Sequence, residues 1–111
     1  MKKLRTVKYY KRYALDFIEA QKPKVIAKID WTIRLIESVP RVPSAYLKHL
    51  EGTNGLYEIR IQHGSDIYRI FCCFDQDTLV ILFNGFQKKS QKIPANEINK
   101  ALTIKKEYEQ E

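Results

Sequence analysis

The sequence predicts an α+β fold: two N-terminal helices packed on a small curved antiparallel sheet, with a C-terminal helix. Three observations carry this reading. Val25, Ile26, Ile29, Ile33 and Ile36 fall within about 100° of arc when residues 23–39 are wound at 100° per residue, an amphipathic stripe. From Gly55 to Lys92 the chain reads as three short strands joined by two tight turns. Helical and strand segments are grouped rather than alternating, which separates α+β from the parallel α/β folds. With 111 residues there is room for a single domain, 1–111, with an expected radius of gyration of roughly 13 Å.

Residues Leu4 to Tyr10 suit an opening strand, since Leu4, Thr6, Val7, Tyr9 and Tyr10 favour extended backbone, although lysines interrupt them. A first helix is expected over Arg12 to Gln21, carrying Leu15, Phe17, Ile18 and Ala20. A second begins at Pro23, tolerated in a first turn, and ends near Val39 before Pro40 and Pro43. Its core stripe leaves Ala27, Trp31 and Leu35 on a separate line roughly 200° to 280° around from Val25, with Asp30, Arg34 and Glu37 in the polar sector between. Trp31 therefore either packs against the first helix or forms, with Leu35, an exposed docking patch for a partner protein.

Pro40 to Asn54 reads as a connection. Leu56 to Gln62 then leads through His63-Gly64-Ser65-Asp66 into Ile67 to Phe74, and Asp75-Gln76-Asp77 turns that strand into Thr78 to Phe83. Such short connections require antiparallel pairing. Phe86 to Lys92 reads as a basic loop. Pro94 opens the closing helix, with Glu97 near its N-terminus, Ile98, Ala101 and Leu102 on its apolar face, and Glu109 to Glu111 at a fraying end.

Hydrophobic residues at 44% and charged residues at 30% are those of a folded soluble domain. Lys and Arg number 20 against 13 Asp and Glu, a net charge of +7, and the isoelectric point near 9.4 points to polyanionic partners. Apolar runs of about five residues fall far short of a membrane span, so no membrane partner is expected and a cytoplasmic location is. Cys72 and Cys73 are adjacent in a strand and point to opposite faces, which argues against a disulfide between them and for a reducing compartment. His49 and His63 with one adjacent cysteine pair lack zinc spacing, and there is no glycine-rich phosphate loop, so neither metal nor other cofactor is expected. Ser90 lacks the setting of a serine hydrolase nucleophile.

What remains is a cationic sheet. Strand parity projects Glu58 and Arg60 together, opposite an apolar trio of Tyr57, Ile59 and Ile61 that should be buried. Arg69 from the next strand and Lys88 or Lys89 after the last can join them on a concave or solvated face. One carboxylate among several cations suits RNA cleavage by its own 2′-hydroxyl, which needs a base, a donor for the leaving oxygen and charge to stabilise the pentacovalent phosphorus. Guanidinium forks supply that charge well. The same residues also fit a plain ion pair on a wet surface, with Arg69 laid along the sheet and the lysines solvated.

Three segments in order, Gly55-Leu56-Tyr57-Glu58-Ile59-Arg60, Tyr68-Arg69-Ile70-Phe71 and Gly85-Phe86-Gln87-Lys88-Lys89-Ser90 before Pro94, resemble the RelE/ParE superfamily of bacterial toxins, in its HigB-like, phage-related branch. The resemblance spans nearly the whole chain. It implies a ribosome-dependent mRNA endonuclease of a toxin-antitoxin system, acting without metal, with mRNA and the ribosome as targets and a cognate antitoxin, commonly one with a helix-turn-helix domain, as partner. By resemblance Arg69 holds the scissile phosphate, Arg60 and Lys89 are cationic site positions, and Lys88, Lys92 and Lys48 contact RNA. Glu58 stands where RelE has lysine and is a candidate base. RelE-like enzymes carry a C-terminal tyrosine whose place here is near Pro94, with Tyr108 far along the helix; neither His49 nor His63 matches the histidine of other branches, so the acid is unassigned. Trp31 and Leu35 are candidate antitoxin contacts. The superfamily also offers a second function, the ParE-like blocking of a topoisomerase, or binding of RNA or antitoxin without catalysis.

Overall fold

The stripe predicted along the second helix is the one that is buried. In the computed structural model, which describes residues 3–111, Val25, Ile29, Ile33 and Ile36 of helix α2 (Pro23–Ser38) are buried against the sheet, with Ile26 packed at their edge. Helix α1 (Tyr13–Glu19) adds Ala14 and Ile18 to the same core. Met1 and Lys2 lie outside the described residues. The radius of gyration is 13.2 Å, as expected for one domain of this length.

The sheet has five strands, β1 (Thr6–Tyr9), β2 (Leu47–His49), β3 (Tyr57–His63), β4 (Asp66–Asp75) and β5 (Leu79–Lys88), in the order β1-β5-β4-β3-β2. The strands β2 to β5 pair antiparallel, as their short connections require; β1 instead pairs parallel to β5, so the sheet is mixed. Parallel pairing is open to β1 because both helices separate it from the other strands along the chain, which gives room for a crossover. At the β3–β4 hairpin the two-residue turn puts Gly64 at φ 62°, a conformation glycine adopts without strain.

Helix α3 (Ala95–Glu109) covers the other face. Ala101 and Ile104 are buried there with Leu56, Phe71, Cys73, Ile81, Phe83 and Phe86. The helix presents Ile98, Ala101, Ile104 and Tyr108, at three- and four-residue spacing, and this turns Leu102 out to solvent, contrary to the expectation from sequence. Cys72 and Cys73 straddle the sheet, one in each core, and both are free. No described helix is long and apolar enough to cross a membrane.

Three other expectations are corrected. Strand β2 lies inside the segment read as a connection; three residues are too few to show an alternating pattern. Strand β5 continues through Phe86 to Lys88, where a loop was expected, because Phe86 stacks on Phe71 and a bulge between Leu82 and Gly85 restores pairing with β4. Glu37, assigned to the polar sector, is buried: its carboxylate accepts the Val7 backbone N–H at 3.1 Å and its carbonyl that of Leu4 at 2.7 Å, which ties α2 to β1.

Candidate functional site

Cross-strand register settles which side chains share a face. On β3 and β4, Arg60 stands directly opposite Arg69, and Glu58 directly opposite Phe71, all on the face that carries α3. Paired residues have their Cβ atoms roughly 5 Å apart, so two like charges here repel. Glu58, diagonal to Arg69, offsets part of this: its carboxylate lies 3.5 Å from Arg60 Nε and 3.7 Å from Arg69 Nε. One carboxylate against two guanidiniums leaves a unit of positive charge uncompensated.

Strand parity left a concave or a solvated face open, and the arginines line a concavity in which Arg60 is half-buried. Glu58 and Arg69 are each only 5% exposed, because both faces of the sheet are covered. Burial lowers the Arg69 pKa from its ordinary value, with the Arg60 charge acting in the same direction and Glu58 opposing both. Each arginine has one backbone anchor. Arg60 Nη1 donates to the Ser44 carbonyl at 3.2 Å, and Arg69 Nη1 to that of Tyr68 at 3.1 Å. Arg60 Nε, Arg69 Nε and Glu58 Oε2 are buried without a hydrogen-bond partner. These three atoms belong to the Glu58 ion pairs, whose separations of 3.5 and 3.7 Å are too long for a hydrogen bond, which is uncommon for buried polar atoms in folded proteins.

The arginines face an open groove of about 400 Å³ lined by Lys28, Ala45, Tyr46, Arg60, Ile61, Gln62, Ile67 and Arg69. It follows the edge of β3 beyond the point where β2 ends. Tyr46, just before β2, accepts the Arg60 backbone N–H at 2.8 Å, and past it the edge is free of pairing strands. No residue of α3 lines the groove.

The other predicted positions divide into two sets. Lys48 is opposite Glu58 and Lys88 opposite Ile67, so both share the arginine face, with Lys48 exposed. Lys88 and the exposed Lys89 border a second, shallow concavity that includes Ile67 and thus adjoins the groove. Lys89 and Lys92 follow the end of β5 on an exposed segment, and Lys92 lines neither concavity. His49 and His63 share the parity of Tyr57, the wrong one for the arginine face. Tyr108 is also excluded, since its hydroxyl donates to Asp75 at 2.5 Å, six residues along β4 from Arg69 or roughly 20 Å. Trp31 is 46% exposed and packs on Tyr46, not on the first helix; Leu35 is half-buried.

Sequence reasoning missed Lys28, Tyr46 and Gln62. Gln62 is the next residue on the parity of Glu58 and Arg60, a signal available in the sequence. Lys28 and Tyr46 reach the groove only through the packing of α2 and β2 beside the β3 edge.

The fold has a solved counterpart. A chain from the crystal structure of the archaeal RelE-RelB complex from Pyrococcus horikoshii OT3 is similar, with a TM-score of 0.56 and 17% sequence identity over 81% of this chain and 99% of that one. No curated protein sequence matches. A family model described as phage derived protein Gp49-like (DUF891) matches residues 16–106, the span from α1 into α3 that contains every arginine, lysine and carboxylate of the groove face. The chain belongs to this phage-derived Gp49-like family.

Proposed function

We propose that this chain is the toxin of a toxin-antitoxin pair, of the HigB-like kind, and that it is an endoribonuclease cutting mRNA on the ribosome. The observation that carries the proposal is the Arg60–Arg69 pair, opposed across two strands, sharing one carboxylate and opening on a groove. A phosphodiester fits this arrangement because its two free oxygens accept from guanidinium N–H groups and its charge relieves their repulsion. In the cleavage step the 2′-hydroxyl attacks phosphorus as its proton leaves, and the arginines hold the added negative charge of the pentacovalent species. Lys48 and Lys88 flank them on the same face and take neighbouring phosphates, with Lys89 and Lys92 beyond.

Glu58 is the one carboxylate at the arginines and is the candidate base. Its engagement with both guanidiniums also makes it their positioning residue. Of the groove-lining side chains, Tyr46 and Lys28 can give a proton to the leaving 5′-oxygen. The similar archaeal fold was solved as a RelE-RelB complex, which supports a protein partner here as well; a helix-turn-helix antitoxin is the form proposed, with the half-buried Leu35 on α2 as a contact.

Induction of the chain alone in bacteria, followed by mapping of transcript ends, tests this reading. Wild type is expected to arrest growth and to leave new ends within translated messages; Arg69→Ala is expected to lose a hundredfold or more of cleavage, about the effect of removing one donor to a transition-state oxyanion. Full cleavage by Arg69→Ala sinks the assigned site, and intact transcripts with damaged DNA support topoisomerase blocking instead.

A further inference from the structure

The groove continues past the sheet onto α2. Lys28 and Tyr46, which line it with Arg60 and Arg69, also touch Trp31: the Tyr46 ring meets the indole at a steep angle with centroids 5.6 Å apart, and Lys28 Nζ lies 4.5 Å from the indole centroid. Trp31 takes no part in either core, and its ring is nearly half exposed. An aromatic surface is therefore held at the mouth of an anion-binding groove by two residues common to both.

We propose that Trp31, braced by Tyr46, is a stacking platform for an unpaired base of single-stranded RNA, the base belonging to a nucleotide beside the phosphate held by Arg60 and Arg69. This rests on the RNA-binding reading of the groove. Every base has a π-face that an indole can meet, and single-strand binders commonly combine such rings with a cationic track. Lys28 supplies a cation next to the ring, where it holds the indole in the free protein and a phosphate in the complex. Every charged side chain lining the groove, Lys28, Arg60 and Arg69, is basic, and the buried Glu58 lies behind the arginines outside it. The surroundings of Trp31 favour a nucleotide over a protein anchor: of its neighbours three or four residues away on α2, Lys28 and Arg34 are basic, Ala27 is small and Leu35 is half-buried, so little exposed apolar surface adjoins the ring.

Trp31 is the only tryptophan of the chain, so indole emission reports on it directly. The full chain is titrated with a short unstructured oligouridylate and with an abasic oligomer of equal length carrying the same phosphates. The oligouridylate is expected to bind about tenfold more tightly and to quench the emission, while the abasic oligomer binds without quenching. Trp31→Ala is expected to lose that tenfold advantage, Trp31→Phe to keep most of it, and the abasic affinity to stay unchanged in both. Equal oligouridylate affinity in wild type and Trp31→Ala overturns the platform, as does quenching produced by a partner protein and not by RNA. Arg60→Gln is expected to weaken both oligomers; if it weakens neither, the groove reading fails on its own, whatever Trp31 does.

Discussion

Arg69 is buried, carries its charge against Arg60, and has Glu58 Oε2 3.7 Å from its Nε. Its place after Tyr68 and its strand parity with Glu58 and Arg60 were visible in the sequence, and register sets it directly opposite Arg60. Its burial was not visible, because it depends on tertiary packing and not on local pattern. The same is true of Tyr46, whose neighbours are chosen by β2 and not by any local pattern. Glu58 is where the chemistry divides. If it is the base, Glu58→Gln lowers single-turnover cleavage a hundredfold or more in a purified translation reaction, since a positioned acid or base supplies about 10²- to 10⁴-fold. RNA affinity, read by filter binding on the same variant, is expected to hold or rise, because the substitution removes the one negative charge between the two guanidiniums. Loss of binding together with cleavage would instead make Glu58 a positioning residue alone.

The elements were legible where they carry a strong period. Helix α2 announced itself through its stripe, and β3 and β4 through alternation bounded by turn residues. Strand β5 was cut short in the sequence reading because Asn84 and Gly85 look like a stop, whereas Gly85 is there for α1. A Cβ at this position would fall on the Phe17 ring, within 2.9 Å of three of its carbons. Gly85→Ala is therefore expected to destabilise the fold by about 1–3 kcal/mol, as overpacking does, with a lower midpoint in urea. Docking of α3 is pH-sensitive in a defined direction. The hydrogen bond to Asp75, with burial adding to it, raises the Tyr108 pKa from 10.0 to about 12. A folded-state pKa above the unfolded one gives stability that is complete below pH 10 and lost between pH 10 and 12. Tyr108→Phe is expected to remove this contribution, so that its stability falls less than that of wild type across that interval, as followed by urea denaturation at each pH.

The net charge of +7 acts through position as well as amount. Lys48, Arg60, Arg69 and Lys88 occupy one face from β2 to β5, while the opposite face is closed by α1 and α2. Four phosphate contacts to a single strand give a slope of roughly −3 in a plot of log affinity against log salt. Titrating the full chain with oligouridylate at several salt concentrations checks this, and a slope near zero would mean that the basic face does not meet the backbone. The opposed arginines have one more consequence. A protein that keeps like charges side by side is less stable empty than occupied, so under the proposed function RNA would act on it as a folding ligand. Binding to the folded state alone adds RT ln(1 + [L]/Kd), about 2.7 kcal/mol at a hundredfold excess over Kd. If the proposed function holds, resistance to proteolysis would rise where messages are plentiful, and the abundance of the target would help set the lifetime of the protein.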